Sequence, residues 1–144
     1  MTKYLFDTNI ISELRKTRPH GGVLAWLNTL REDQIFLSAV TLGELQTGIE
    51  RVREEDPAKA HEIERWVDAL AESRQVLPMD TRCFREWARL MHGRPAQLLE
   101  DAMLAATARV HELKLATRNE RDFKGLGVGI FNPFKPQGQS SPES

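Results

Sequence analysis

The sequence predicts an α/β fold of three layers, with a parallel sheet of about four to five strands lying between two layers of helices. Three observations predict it. Short apolar runs of strand type, such as Tyr4-Leu5-Phe6, Ile35-Phe36-Leu37 and Val128 to Phe131, alternate with longer stretches of helical periodicity. The first run stops on Asp7 and turns straight into a helical stretch, Thr8 to Leu14. Three more acids, Glu44, Asp101 and Asp122, follow strand-type runs or open helices at comparable places. Ligands of open α/β sheets bind beyond the carboxyl ends of the strands, so a carboxylate placed after strand one should meet others there.

Each element follows from its residues. After Asp7, a short helix to Leu14 turns Ile10, Ile11 and Leu14 inward. Arg15 to Gly22, with Pro19 and the Gly21-Gly22 pair, reads as a break. Val23, Trp26, Leu27 and Leu30 then recur at helical spacing until Asp33, before strand two, Ile35 to Ser38. Ser38 or Thr41 caps the next helix, whose stripe is Leu42, Leu45, Ile49 and Val52, with Glu44 in its first turn on the flank of that stripe. Pro57 opens a break and a further helix to Ser73, with Ile63, Trp66, Val67 and Leu70 buried. Val76-Leu77 is a short strand, and Asp80 or Thr81 caps a helix to about Met91. Leu98 to Leu113 is apolar almost all round, and its alanines let the axis approach the sheet closely. Lys114 to Thr117 and Val128 to Phe131 are the last strands. One domain, residues 1–135, is expected, followed by a disordered polar tail over 136–144.

Composition excludes several function classes. A chain of 144 residues with 40% hydrophobic and 28% charged residues is an ordinary globular one. A domain this size buries roughly 68–70% of the surface its unfolded chain exposes. No apolar run is long enough for a membrane span and no signal-peptide pattern opens the chain, so a cytoplasmic location is expected. Cys83 is the only cysteine and reads as core filling. His20, His61, His92 and His111 are scattered without zinc-site spacing, so structural or surface roles are expected for all four. A net charge of −1 argues against a bulk cationic nucleic-acid binder. Arg15, Lys16, Arg118 and Arg121 nevertheless flank the acidic segments and are the candidates for contact with a phosphate backbone.

Singly, each acid also reads as a helix cap or a solvated charge. Jointly, the segments Leu5-Phe6-Asp7-Thr8-Asn9-Ile10-Ile11-Ser12-Glu13, Leu37 to Leu45 around Glu44, Asp101 to Ala108, and Ala116 to Phe123 resemble those of a PIN-domain ribonuclease. More narrowly, they resemble the VapC toxins of bacterial toxin-antitoxin pairs, and Phe131-Asn132-Pro133-Phe134 is similar to the end of the FitB-like subgroup. The resemblance runs from about Tyr4 to Phe134. It implies a PIN-like α/β/α sandwich, a homodimer, and middle helices that supply the dimer interface and the groove wall. It also implies a VapB-type antitoxin whose C-terminal segment lays an arginine or lysine across the acids, and whose N-terminal part binds promoter DNA. The RNA implied is a structured one such as tRNA or rRNA.

Four carboxylates with no reactive Ser, Cys or His beside them suit magnesium or manganese, which prefer hard oxygen ligands and keep several waters. Asp7 and Asp101 are assigned as direct ligands, Asp122 as holding a second ion or a water of the first, and Glu44 as orienting a water. Thr8, Asn9, Ser38, Thr117 and Asn119 are the expected donors to the carboxylate oxygens. The resemblance implies the same four-acid roles, with one departure: FitB-like members can carry the fourth acid where this chain has Asn119. A haloacid-dehalogenase-like phosphohydrolase would need a second Asp at position 9, where Asn9 stands. A PIN fold kept only for RNA or protein binding is the alternative outside enzymes.

Overall fold

The computed structural model describes residues 1–136, so 137–144 of the expected tail lie outside the described residues. The strands are β1 (Tyr4–Phe6), β2 (Ile35–Ser38), β3 (Gln75–Leu77), β4 (Lys114–Ala116) and β5 (Ile130–Phe131). They form the one parallel sheet of five strands that the sequence predicts, in the order β3-β2-β1-β4-β5. β1 is therefore the central strand, with Leu5 opposite Phe36 on one side and Leu115 on the other. The ladder continues one residue past it, Asp7 N–H donating to the Ala116 carbonyl at 2.9 Å. That bond fixes where the chain leaves the sheet.

The helices are α1 (Thr8–Leu14), α2 (Gly21–Leu27), α3 (Ala39–Glu55), α4 (Pro57–Ser73), α5 (Thr81–Met91) and α6 (Leu99–Val110). Successive strand residues point to opposite faces, so Leu5 and Leu115 join one core with Leu104, Ala105 and Ala108 of α6, Phe123 and Leu126. Phe6 and Ala116 join the other with Ile10, Ile11, Val23 and Trp26. Ala102, Ala105, Ala106 and Ala108 are fully buried, which is the close approach of α6 that their size permits. No described helix is long and apolar enough to cross a membrane.

Several boundaries differ from the sequence reading, each for a local reason. Gly21-Gly22 is the first turn of α2, not a break, because His20 Nδ1 accepts from the N–H of Gly22 (3.1 Å) and Val23 (3.3 Å). A Cβ at Gly22 would stand 2.9 Å from His20 Cε1 and 3.2 Å from the Pro133 carbonyl oxygen, so only glycine fits without displacing that cap. α2 ends at Leu27, where the Thr29 and Leu30 N–H groups turn back to Trp26 and Leu27. α6 ends at Val110 because Glu112 takes φ 56°, while the Leu113 N–H reaches the Ala108 carbonyl (2.8 Å) and Glu112 N–H that of Arg109 (3.3 Å). This is a Schellman stop with a residue other than glycine at its left-handed position. Of the last predicted strand, Ile130–Phe131 forms β5, and the Gly129 carbonyl just before it accepts the Leu115 N–H (2.8 Å). Trp66 packs within the chain, against the Phe6 core and against Ile49, Ala60 and Val67, so no external interface is needed to explain it.

Phe123 is fully buried beside Asp122 and anchors the turn that carries it. Phe123→Ala is expected to cost about 3–5 kcal/mol, the range for large-to-small core changes. A urea midpoint lowered by much less would show that this turn is not held by the core.

Candidate active site

Asp7 ends β1 and begins α1 with the same side chain. Its Oδ1 accepts the Thr8 N–H (2.7 Å) as the helix N-cap. Its Oδ2 accepts from Thr117 Oγ1 (2.7 Å) and Asn9 Nδ2 (3.0 Å). The Thr117 hydroxyl also receives the Asn119 N–H (3.0 Å), and Asn9 Oδ1 receives the Arg118 N–H (3.1 Å), so the loop after β4 is laced to α1. Asp7 is 7% exposed. Burial pushes its carboxyl above the usual range, against the donors Thr117, Thr8 and Asn9, and the charge of Asp122 adds to the rise.

Glu44 reaches the same cleft from α3. Ser38, not Thr41, caps that helix by accepting the Val40 N–H (3.0 Å). Glu44 therefore lies in the second turn rather than the first, beyond the helix-dipole effect that a first-turn acid enjoys. Thr8 Oγ1 donates to Glu44 Oε1 (2.8 Å), joining the second acid to the cap of the first. The carboxyl of Glu44 is pushed up to about 7, by burial first and then by a hydrogen bond with the carboxyl of Glu100. Glu100 is a member of the cluster that sequence reasoning missed. As an acid in the first turn of α6 it looks like a helix-dipole partner, and nothing local shows that α3 stands opposite.

Asp101, one residue on, is half-buried and raised to about 6, by burial and then by Asp122, Asp7 and Glu100. Asp122 is exposed on the 3-10 turn Glu120–Phe123. It is close enough to raise both Asp7 and Asp101 yet lines a neighbouring depression with Arg121 and Lys135. Asp7, Glu44 and Asp101 line one cleft of about 430 Å³. Among the described residues, none of these four acids has a lysine or arginine within salt-bridge distance. Nor do any three of their carboxylates bring oxygens within 4.8 Å of one another. Like charges without a cation between them stand apart for that reason.

The other expected residues divide. Thr8, Asn9 and Thr117 touch the acids directly. Asn119 acts through its backbone N–H on Thr117. The expected direct donation by Ser38 is corrected, since it caps α3 and, among the described residues, makes no hydrogen bond to an acid. Of the cations, Lys16 and Arg118 line the cleft, Arg121 borders Asp122, and Arg15 is the exposed C-cap residue of α1. Arg118 lies over the Phe134 ring at 4.6 Å, and Lys16 pairs with Glu13 at 2.9 Å. Glu13, buried and accepting the His20 N–H (2.8 Å), also lines the cleft, and the sequence reading gave it no role.

Asp7, Glu44 and Asp101 all bind protons more tightly in the folded chain than in the unfolded one. The folded state therefore holds more protons between about pH 4 and pH 7, and stability falls as pH rises through that window. In chelator, the melting temperature should drop between pH 5 and pH 8, and Glu44→Gln should shrink the drop. Acids held below their usual range, such as Glu86 beside Arg109, are ionised in both states there and leave the slope unchanged. A flat or rising profile would contradict the clustering.

A model of the PIN domain matches residues 4–128. The chain is 34% identical to Toxin FitB of Neisseria gonorrhoeae, over 90% of this chain and 97% of that one, and it superposes on the crystal structure of FitAcB from the same organism with a TM-score of 0.81 at 30% identity, covering 92% and 99%. It is 33% identical to VapC ribonuclease Y4jK of Sinorhizobium fredii, over 92% and 98%. A toxin-antitoxin complex from Klebsiella pneumoniae aligns with a TM-score of 0.69 at 27% identity, over 93% and 100%. The acid-bearing strand ends, the sheet order and these matches agree: the chain belongs to the PIN-domain family.

Proposed function

We propose that this protein is an endoribonuclease toxin of a toxin-antitoxin pair that hydrolyses RNA phosphodiester bonds with a magnesium or manganese ion. The observation that carries the proposal is the convergence of Asp7, Glu44 and Asp101 in one cleft with no cationic side chain among the described residues paired to them. The donor set fits a hard ion: oxygen ligands converge, and no histidine or cysteine lines the cleft. Relatives named as a VapC ribonuclease and as a toxin support the reaction class. Family membership removes the phosphohydrolase alternative, and the intact acid cluster favours a nuclease over a PIN fold that only binds.

Asp7 and Asp101 would hold the ion, with Asp122 at the rim for a second ion or a water. When bound, the ion supplies positive charge against the phosphate and the leaving oxygen. Thr117, Thr8 and Asn9 hold the Asp7 carboxylate in one orientation. Glu44, held by the Thr8 hydroxyl, would orient the attacking water. Lys16 and Arg118, with Arg15 and Arg121 beyond them, are placed to meet the backbone of an RNA such as tRNA or rRNA. An antitoxin arginine crossing the same acids would match them by bidentate hydrogen bonding. A VapB-type partner, a toxin homodimer and promoter contact through the antitoxin complete the proposal, in a cytoplasmic setting.

Asp7→Asn and Asp101→Asn should each lower RNA cleavage by on the order of 10²-fold or more, with circular dichroism unchanged, because charge is removed without volume. Thr117→Val should cost roughly 10–100-fold, the usual effect of losing an outer partner of a metal ligand. Cleavage measured on a defined RNA should vanish in chelator and return with magnesium or manganese. Persistence after chelation would refute the mechanism. In cells, expression of the chain alone should arrest growth, and co-expression of the adjacent small gene should restore it and yield a co-purifying complex. Equal growth with wild type and Asp7→Asn, both well expressed, would refute the toxin assignment.

A further inference from the structure

At the end of α6 opposite Asp101, three potential ligands from two helices meet. Asp80 is the N-cap of α5, and its Oδ1 accepts the N–H of Cys83 at 3.0 Å. His111 is the C-cap residue of α6. One donor atom of each lies within 4.8 Å of the other two, and among the described residues no other trio of His, Cys, Asp or Glu is grouped so tightly. Ten helical positions from Asp101 to His111 make about 15 Å at 1.5 Å per residue. The trio is therefore a separate place from the acid cleft. The residues that meet are distant in sequence, so no zinc-site spacing marks them there.

Further observations point to a ligand there. The Nε2 of His111 is buried and, among the described residues, has no hydrogen-bond partner, a costly condition unless something bonds to it. The Cys83 thiol is fully buried against this corner, while Asp80 is exposed and offers a way in from solvent. We infer that Asp80, Cys83 and His111 form a binding site for a borderline-soft divalent cation of the zinc class, with a water completing the tetrahedron.

The donor chemistry selects the ion. Thiolate, imidazole and carboxylate together suit zinc and are wrong for magnesium, so the two ends of α6 call for different metals. Donors on one tetrahedral zinc lie roughly 3.3–3.6 Å apart, given bonds of about 2.0–2.3 Å. Closing from within 4.8 Å takes side-chain movements of about an ångström, available to the exposed Asp80. Binding breaks the Cys83 S–H bond, forms a sulfur–metal bond and releases the proton to solvent, with no change of oxidation state. The filled site would pin the start of α5 to the end of α6.

The test uses the full chain, stripped with chelator and titrated with cobalt as a spectroscopic stand-in for zinc. Cys83 is the only cysteine, so a thiolate-to-cobalt charge-transfer band can come from no other side chain. The expected result is a band that saturates near about one equivalent, is displaced by zinc, and persists in Asp101→Asn. It should be lost in His111→Gln and weakened at least tenfold in apparent affinity in Asp80→Asn. These two variants leave the buried thiol in place, and circular dichroism verifies their fold. No band in the wild type, or a band of full affinity in His111→Gln, overturns the proposal. The readout does not involve RNA, so it stands or falls apart from the nuclease assignment.

Discussion

The hydrogen bond from the Thr117 hydroxyl to Asp7 is the contact on which the working end of this protein depends. It is buried, it joins the ends of β1 and β4, and it holds an acid that burial would otherwise leave unsupported. Through Asp7 it fixes the start of α1, and through Thr8 it fixes Glu44 on α3. Without these donors an interior carboxylate would be protonated over a wider pH range and its orientation lost. The sheet order makes the arrangement possible, since only the central strand has neighbours on both sides to lend side chains.

The cluster stores repulsion. Asp7, Glu44 and Asp101 are each raised by acids around them, Glu100 and Asp122 included, and the cations nearby are occupied elsewhere. Lys16 is on Glu13 and Arg118 is over Phe134, so neither neutralises the acids. A structure tuned for stability alone would pair them. Leaving them unpaired creates an appetite for positive charge that an ion or a guanidinium can satisfy.

Much of this was legible in the sequence, for identifiable reasons. Alternation of apolar runs with helical periods gave the layers, and the alanines of α6 gave its close approach, because both are local signals. Asp7, Glu44 and Asp101 could be picked out because each follows a strand or opens a helix. What could not be read were relations across the fold. Glu100 meets Glu44 from a different helix, Ser38 wins the capping of α3 over Thr41 by where the strand ends, and His20 turns a glycine pair into the start of a helix. Asp80 and Cys83 are separated from His111 by most of α5 and all of α6, and only the antiparallel return of the chain closes that distance.

Asp7 is at once the last ladder residue beyond β1, the N-cap of α1 and a buried acid of the cleft. These duties draw on different parts of one residue: its backbone N–H, its capping oxygen and its charge. A substitution that spares the fold must keep an oxygen at the same reach, and among the residues that cap helices well only asparagine does so without the charge. Drift at this position is therefore confined to a passage about one residue wide. A lineage that lost its chemistry here by any other route would lose the first helix with it, so inactivation is more readily reached through Asp101 or Glu44, whose carboxylates hold up no turn of their own.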